Sequence, residues 1–445
     1  MKINMPKWIQ KLGFLPGGCA NFFPGASDHC GRTWREQRRK INSKTAAAKN
    51  HLLNAFQYIR VYAIFLLFFC STFSYADKPN KVVAIIGVGQ NPAGIAVTPD
   101  NLFAYVANNN NNSIPGADTI SVLNLKNNTL EQTISDSSFS GPYTVTINAA
   151  GTKAYVTNSN STTVTIIDIA TNTVSGVIGG FNGPSGFAIT PDGNHAYVNN
   201  YGAGASSGNG TTVDIVDLNT NAIIGSPITV GQAPAALAIT PDGAYVYVIS
   251  YVNGNPGTGT ISIIRTSDNS VQPNAITGFS GPFAIAITPD GKYAYITNFG
   301  SNNFSPVGTT VSVVNLSSNA IVATITAGIQ PSGIAIAPDG CYAYVSNYST
   351  VYNGPNFTDL TASQGTIYII DIKKNKVISP VIKVGLSPDT IAISYDGQFA
   401  YVTNYTSNTV SVIPLLGLYD INRLRPLYYQ QLDETITKLE QAGLL

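Results

Sequence analysis

Carboxylates recur in this chain at a fixed address. Asp192, Asp242, Asp290 and Asp339 each stand in the tripeptide Pro-Asp-Gly, 48 to 50 residues apart. A carboxylate can act as a general acid or base. Between Pro and Gly it also makes a tight turn, because Asp accepts a hydrogen bond from its own downstream backbone and Gly takes a positive φ. The turn explains all four without catalysis. Asp389 is different. It follows a proline where the other repeats carry Ala93, Tyr143, Ser185, Ala235, Phe283 and Ser332. It is the only charge in that set, and Tyr143 and Phe283 are the large aromatics. These three break the repeat, which makes them candidate ligand-binding residues.

Other reactive groups are scarce. Residues 77 to 414 hold one histidine (His195), one glutamate (Glu131) and one arginine (Arg265). His195 follows a Pro-Asp-Gly turn, where a solvent-facing turn residue is the plainer reading. The sequence contains no Ser/His/Asp set, no phosphate loop and no close group of metal ligands. It has no Asp-x-Asp-x-Asp-Gly loop for calcium. No catalytic residue, cofactor or metal is therefore expected.

A second set of candidates follows a repeated asparagine. Asn108, Asn158, Asn200, Asn298, Asn347 and Asn404 occupy matching places, with Ser250 as the exception. An aromatic comes next in five units: Tyr201, Tyr251, Phe299, Tyr348 and Tyr405. Displayed together, these amides and rings could hold a peptide or a glycan. Alternatively, each Asn caps a strand end and each ring packs between units. Tyr352, Phe357 and Asp359 fall in the longest loop; for Asp359 a solvated surface acid is the competing explanation.

The elements that must position these residues are strands. Apolar and polar residues alternate in "GFAIT", "HAYVNN" and "TTVDIVDL", which is the period of a β-strand. Charged residues make up only 11% of the chain, against about 25% in an average globular protein. Each unit reads as four strands, and seven copies of the first can be counted, beginning at Gly94, Thr144, Gly186, Ala236, Ala284, Gly333 and Thr390. The seventh unit lacks a fourth strand, while a spare strand, "KVVAIIGVG", precedes the first unit. Radial repetition of four-stranded sheets makes a β-propeller. The spare strand is expected to complete the last blade and clasp an all-β, seven-bladed ring. The connections between second and third strands are short in units two and seven and long in the other five. The insertions therefore gather on one face, opposite the nearly constant Pro-Asp-Gly turns.

The segments "AYVTNSNSTTVTIIDIATNTV" from Ala154 and "AYVTNYTSNTVSVI" from Ala400 resemble the YVTN-repeat β-propeller family over residues 81 to 414. The resemblance implies an exported, periplasmic or surface protein, mostly of bacteria or archaea. The family is similar to lactonase-type and cofactor-enzyme propellers, and some relatives are linked to DNA. A lactonase-type site would gather His with Glu or Arg, which this chain does not supply in number. A non-catalytic binding scaffold for a protein segment or glycan is the favoured expectation. A lactonase- or lyase-type enzyme and a DNA-binding propeller are the alternatives.

Charge separates the chain into parts. Residues 1–76 carry eleven Lys or Arg and two acids, while residues 77–414 carry ten Lys or Arg and seventeen acids, a net of −7. A phosphate-binding surface needs clustered cations, so nucleic acid is a poor partner for the body. The run "VYAIFLLFFCSTFSYA" at 61–76 is apolar, uncharged and short for a membrane span, which needs about twenty residues. It fits a secretory signal cleaved after Ala76, with no stable membrane span afterwards. Cys341 is then the only cysteine left, so no internal disulfide can form. Residues 1–76 read as leader, 77–414 as propeller and 415–445 as tail. In the tail, Tyr428, Leu432, Ile436 and Leu439 have helical spacing and predict a docked helix. A monomer is expected.

Overall fold

The computed structural model describes residues 81–110, 118–202, 208–251, 258–300, 307–348, 350–352, 360–362 and 364–415. The leader, its cleavage point and the tail helix lie outside the described residues. Within them the chain forms seven antiparallel sheets, each starting at a proline. The innermost strands are Pro92–Val97, Pro142–Ile147, Pro184–Ile189, Pro234–Ile239, Pro282–Ile287, Pro331–Ile336 and Pro388–Ile393. They define blades one to seven. The seventh blade is completed by Ala84–Gly87, which pairs antiparallel with Thr409–Pro414. This closing strand is shorter than the nine residues expected, although Val83 and Val88 still donate to the carbonyls of Val412 and Asn408.

Burial explains the alternation of the sequence. The second strand of every blade carries five consecutive buried residues, because a neighbouring blade covers each of its faces. Outer strands such as Thr173–Gly179 alternate exposed and half-buried positions instead. The core is correspondingly divided among the seven junctions between adjacent blades. At the closing junction Ile86, Val410 and Val412 pack against Ile95, Val97 and Val106. The outer strand of blade four is broken into Ser270–Val271 and Ile276–Phe279. Pro273 lies in the gap, where it cannot donate to the ladder.

Two polar devices recur. The second-strand tyrosine reaches into the next blade: Tyr197, Tyr247 and Tyr295 donate to Asn269, Asn319 and Asn375 at 2.7, 2.9 and 2.6 Å, and Tyr105 bonds Asn172. Each of these asparagines has a positive φ in a hairpin turn, a conformation Asn tolerates. In the Pro-Asp-Gly turns, Asp192 accepts from the Thr190 hydroxyl and the Asn194 amide, and Asp242 and Asp290 do the same locally.

These bonds, led by the threonine hydroxyls, hold Asp192, Asp242 and Asp290 below the usual carboxylate range. A lowered folded value contributes stability above the unfolded value of 3.8, and that stability is lost as pH falls through the folded value. Replacing all three by Ala should lower the melting temperature at pH 7 and flatten its fall below about pH 4. Thermal unfolding from pH 2 to 7 measures both effects.

Candidate functional site

The end of the ring opposite the Pro-Asp-Gly turns is built by one backbone device repeated seven times. The residue before each inner proline has a positive φ: Asn91 50°, Gly141 61°, Gly183 60°, Ala233 53°, Gly281 56°, Gln330 51° and Ser387 53°. Four of the seven are not glycine, so the surrounding structure holds them in a sparsely populated region. Their carbonyls accept the amide of the residue that follows the second strand. Tyr201, Tyr251, Phe299, Tyr348 and Tyr405 are seated this way at 2.9 to 3.0 Å, and Asn109 and Ser159 fill the same place in blades one and two. Just past each proline the inner strand shifts register. Such a bulge re-aims a side chain, and Asp389, Tyr143 and Phe283 all occupy bulges.

Adjacent bulges are stapled together. The hydroxyls of Thr157, Thr297, Ser346 and Thr403 donate to the carbonyls of Ser185, Ser332, Asp389 and Ala93 in the next blade, at 2.7 to 2.9 Å. Inner strands come so close that side chains would collide. A Cβ on Gly333 would lie 2.5 Å from the Asp389 carbonyl, and one on Gly94 2.3 Å from the Tyr143 carbonyl. Only glycine fits beside these two repeat-breaking residues.

Their side chains share one environment. Asp389 is 8% exposed. Burial pushes its carboxyl up from 3.8 to about 7, and no hydrogen bond reaches it among the described residues. Tyr143 comes from blade two, yet its phenol is affected by Asp389 and Tyr405 of blade seven, Tyr348 of blade six and Tyr201 of blade three. Burial first and these groups second raise it well above the ordinary tyrosine value. Burial, then Asp389, also raises Tyr405. Rings continue round the mouth: Phe283 to Phe299 at 5.3 Å, Phe299 to Tyr348 at 6.0 Å and Tyr348 to Tyr405 at 6.5 Å between centroids. Such separations suit tilted and edge-to-face contacts. Tyr143, Tyr201, Phe283, Tyr348 and Tyr405 are half-buried, so each keeps an accessible surface.

Several expected residues fall elsewhere. Tyr251 is buried, and its hydroxyl donates to the Gly300 carbonyl of blade five at 3.0 Å; it is a spacer between blades. The asparagines are not a displayed ring. Asn158 is buried, donates to Thr163 and Thr165, and accepts from the Ser140 amide. Asn298 and Asn404 tie the same hairpin in their own blades. Tyr352 ends the short strand Thr350–Tyr352, and Phe357 and Asp359 lie outside the described residues. His195 lines a cleft of ≈ 380 Å³ between blades three and four, beside Asp192 and Asp242 at the turn end of the ring. A cleft of ≈ 490 Å³ between blades five and six is likewise lined by turn residues, including Asp290 and Asp339. The walls of both clefts are largely repeated turn and tyrosine residues.

Two buried polar residues escaped the sequence reading. Asp214 stands where five other blades carry Ser121, Thr165, Ser262, Ser312 and Ser411 and blade six carries Tyr368, and it accepts from Asn200 at 2.8 Å. Asn199 takes the stapling place of Thr157 and Thr403, fully buried, with no partner for its amide among the described residues. Aligning third strands and second-strand ends across the blades would have exposed both.

The family model for lactonase seven-bladed β-propellers matches residues 78–178 and 257–415. The chain belongs to this family. The unmatched stretch of this lactonase-family propeller spans blade three and the first two strands of blade four, and contains both Asp214 and Asn199. Among curated proteins, the chain is similar to two from Mycobacterium tuberculosis. PE-PGRS family protein PE_PGRS18 is 51% identical over 59 residues, 13% of each chain. Seven-bladed beta-propeller protein Rv1057 is 31% identical over 134 residues, 29% of this chain and 32% of that protein. The chain thus matches less than a third of the length of either relative. Among solved structures, Kuenenia stuttgartiensis hydrazine synthase superposes with a TM-score of 0.61 at 20% identity, covering 73% of this chain and 96% of that one. That likeness is one of fold.

The mouth carries its own pH signature. Asp389 favours its protonated form when folded, so its contribution is fully present below 3.8 and is lost as pH rises to about 7. Asp118 and Asp214 are raised by burial in the same sense, so the difference between variants is the informative quantity. Asp389→Asn should gain stability relative to wild type from pH 4 to 7, reaching on the order of 1–4 kcal/mol above pH 7. Denaturant unfolding of both proteins across this range gives the difference directly.

Proposed function

We propose that this chain is an exported, non-catalytic binding module of YVTN-repeat type, taking a protein segment or a glycan at its aromatic mouth. One observation carries the reading. Phe283, Phe299, Tyr348 and Tyr405 form a continuous arc of rings across blades five to seven, at the end of the ring that bears every long insertion. Binding sites are typically concave and apolar with a few well-placed polar groups, and aromatic side chains offer large contact area with a polar tip. Loops at this end of the ring can vary in length without disturbing the core. The uncharged apolar run at 61–76 supports export, and the periplasm, cell surface or exterior is the proposed location. The net charge of −7 on the body weighs against nucleic acid.

A second reading draws on family membership. A carboxyl with a raised pKa and a half-buried phenol that feels its charge, as in Asp389 and Tyr143, would serve as an acid–base pair. In that case the mouth would process a lactone or a related ester-like substrate.

One loop replacement and one assay separate the two. Replacing residues 349–363 by a short turn like Thr406–Asn408 should leave the melting temperature within a few degrees, since loop closure costs change by only about 0.6 kcal/mol per doubling of length. Capture of peptide or glycan partners from immobilised libraries should fall by about tenfold or more. Unchanged capture would remove the binding reading from this face. Hydrolysis of a δ-lactone that disappears in Asp389→Asn would favour the enzyme.

A further inference from the structure

The mouth combines two features that recognition of a neutral sugar or a peptide backbone does not require together. The first is a single carboxyl group without a counter-ion. Asp389 is buried, and the groups it acts on are phenols, Tyr405 from its own blade and Tyr143 from blade two, with Tyr348 of blade six against the Tyr405 ring. The Ser346 hydroxyl is turned to the Asp389 backbone carbonyl and leaves the carboxyl alone. No Lys, Arg or His acts on it among the described residues. The second feature is the wall of π faces. Tyr348 touches Tyr405, and both rings are half-buried at the opening, while the buried Phe299 ring backs Tyr348.

An unpaired carboxylate costs free energy when buried, and rings concentrate negative potential over their faces. Both are relieved by the same guest: a cation large and apolar enough to touch several rings. An anion would meet Asp389 with no positive partner. A divalent metal would find too few ligands, since the described residues bring no group of three His, Cys, Asp or Glu together.

We propose that the channel mouth is an aromatic cage for a small organic ammonium ion, with Asp389 as the counter-charge and Tyr143, Tyr348 and Tyr405 as the walls. This rests on the reading of the mouth as a ligand site, and narrows the chemistry of what enters it. The cage couples to pH. The guest needs the ionised carboxylate, and Asp389 passes between its forms near pH 7, while the phenols stay protonated because burial raises them. A quaternary ammonium keeps its charge at every pH, so the dependence reports the protein alone.

The probe is choline, compared with its neutral carbon isostere 3,3-dimethyl-1-butanol, titrated into the wild-type protein by NMR or calorimetry. Choline should bind at least about tenfold more tightly than the isostere at pH 8, and its affinity should fall by about tenfold or more by pH 5.5. Asp389→Asn should abolish both differences, and Tyr348→Leu should weaken choline while sparing the melting temperature. Equal binding of the two probes to wild type, or no choline binding at tens of millimolar, would overturn the proposal without recourse to any variant. If peptide or glycan capture still responds to replacement of residues 349–363 while choline is ignored, the cage fails and the mouth survives as a binding site. If neither response is found, both readings fall.

Discussion

In every blade the second strand is buried on both faces, so no blade can stand with one side open. Each sheet needs a neighbour before and after it, and the chain can satisfy that only by closing. Closure is achieved at a single seam, where Ala84–Gly87 completes the blade of Thr409–Pro414. The seam then buries the same kind of aliphatic contact as the six other junctions, with Ile86 and Val412 against Ile95 and Val97. An open array would instead leave two apolar sheet faces and two unpaired edges in water.

The mouth is a consequence of that closure. A positive φ before each proline and a bulge after it turn seven inner strands toward a common opening. Hydroxyls staple four of the bulges to the next blade, the seam included, since Thr403 of blade seven donates to Ala93 of blade one. Tyr143 and Asp389 lie two blades apart in ring order, with blade one between them. Only in a closed ring can they influence one another, because in sequence they are separated by four intervening inner strands. The proposed binding site therefore depends on the same seam as the stability.

Much of this was legible in the sequence. Seven similar first strands, a missing fourth strand at one end and a spare strand at the other point to a clasped ring by counting. Asp389, Tyr143 and Phe283 were legible for the opposite reason, as departures from the repeat. Burial was harder to read. Tyr251 and Tyr348 occupy the same repeat position, yet Tyr251 turns its hydroxyl to a neighbouring backbone carbonyl while Tyr348 joins the ring arc; the local sequence does not distinguish them. The asparagine ring was ambiguous because an amide at a strand end can serve solvent or a hairpin, and Asn158 shows that the hairpin claims it. Asp214 and Asn199 were hidden inside otherwise regular strands, where a single polar substitution does not disturb the alternation.

The seam is the most direct place to test the account. A chain beginning at Gln90, without the closing strand, should be compared with one that retains residues 78–89, by thermal unfolding and size-exclusion chromatography at several concentrations. The account predicts a clear loss of melting temperature in the shortened chain and concentration-dependent association through the bared edge of Thr409–Pro414. A shortened chain that remains monomeric and melts at the same temperature would contradict it.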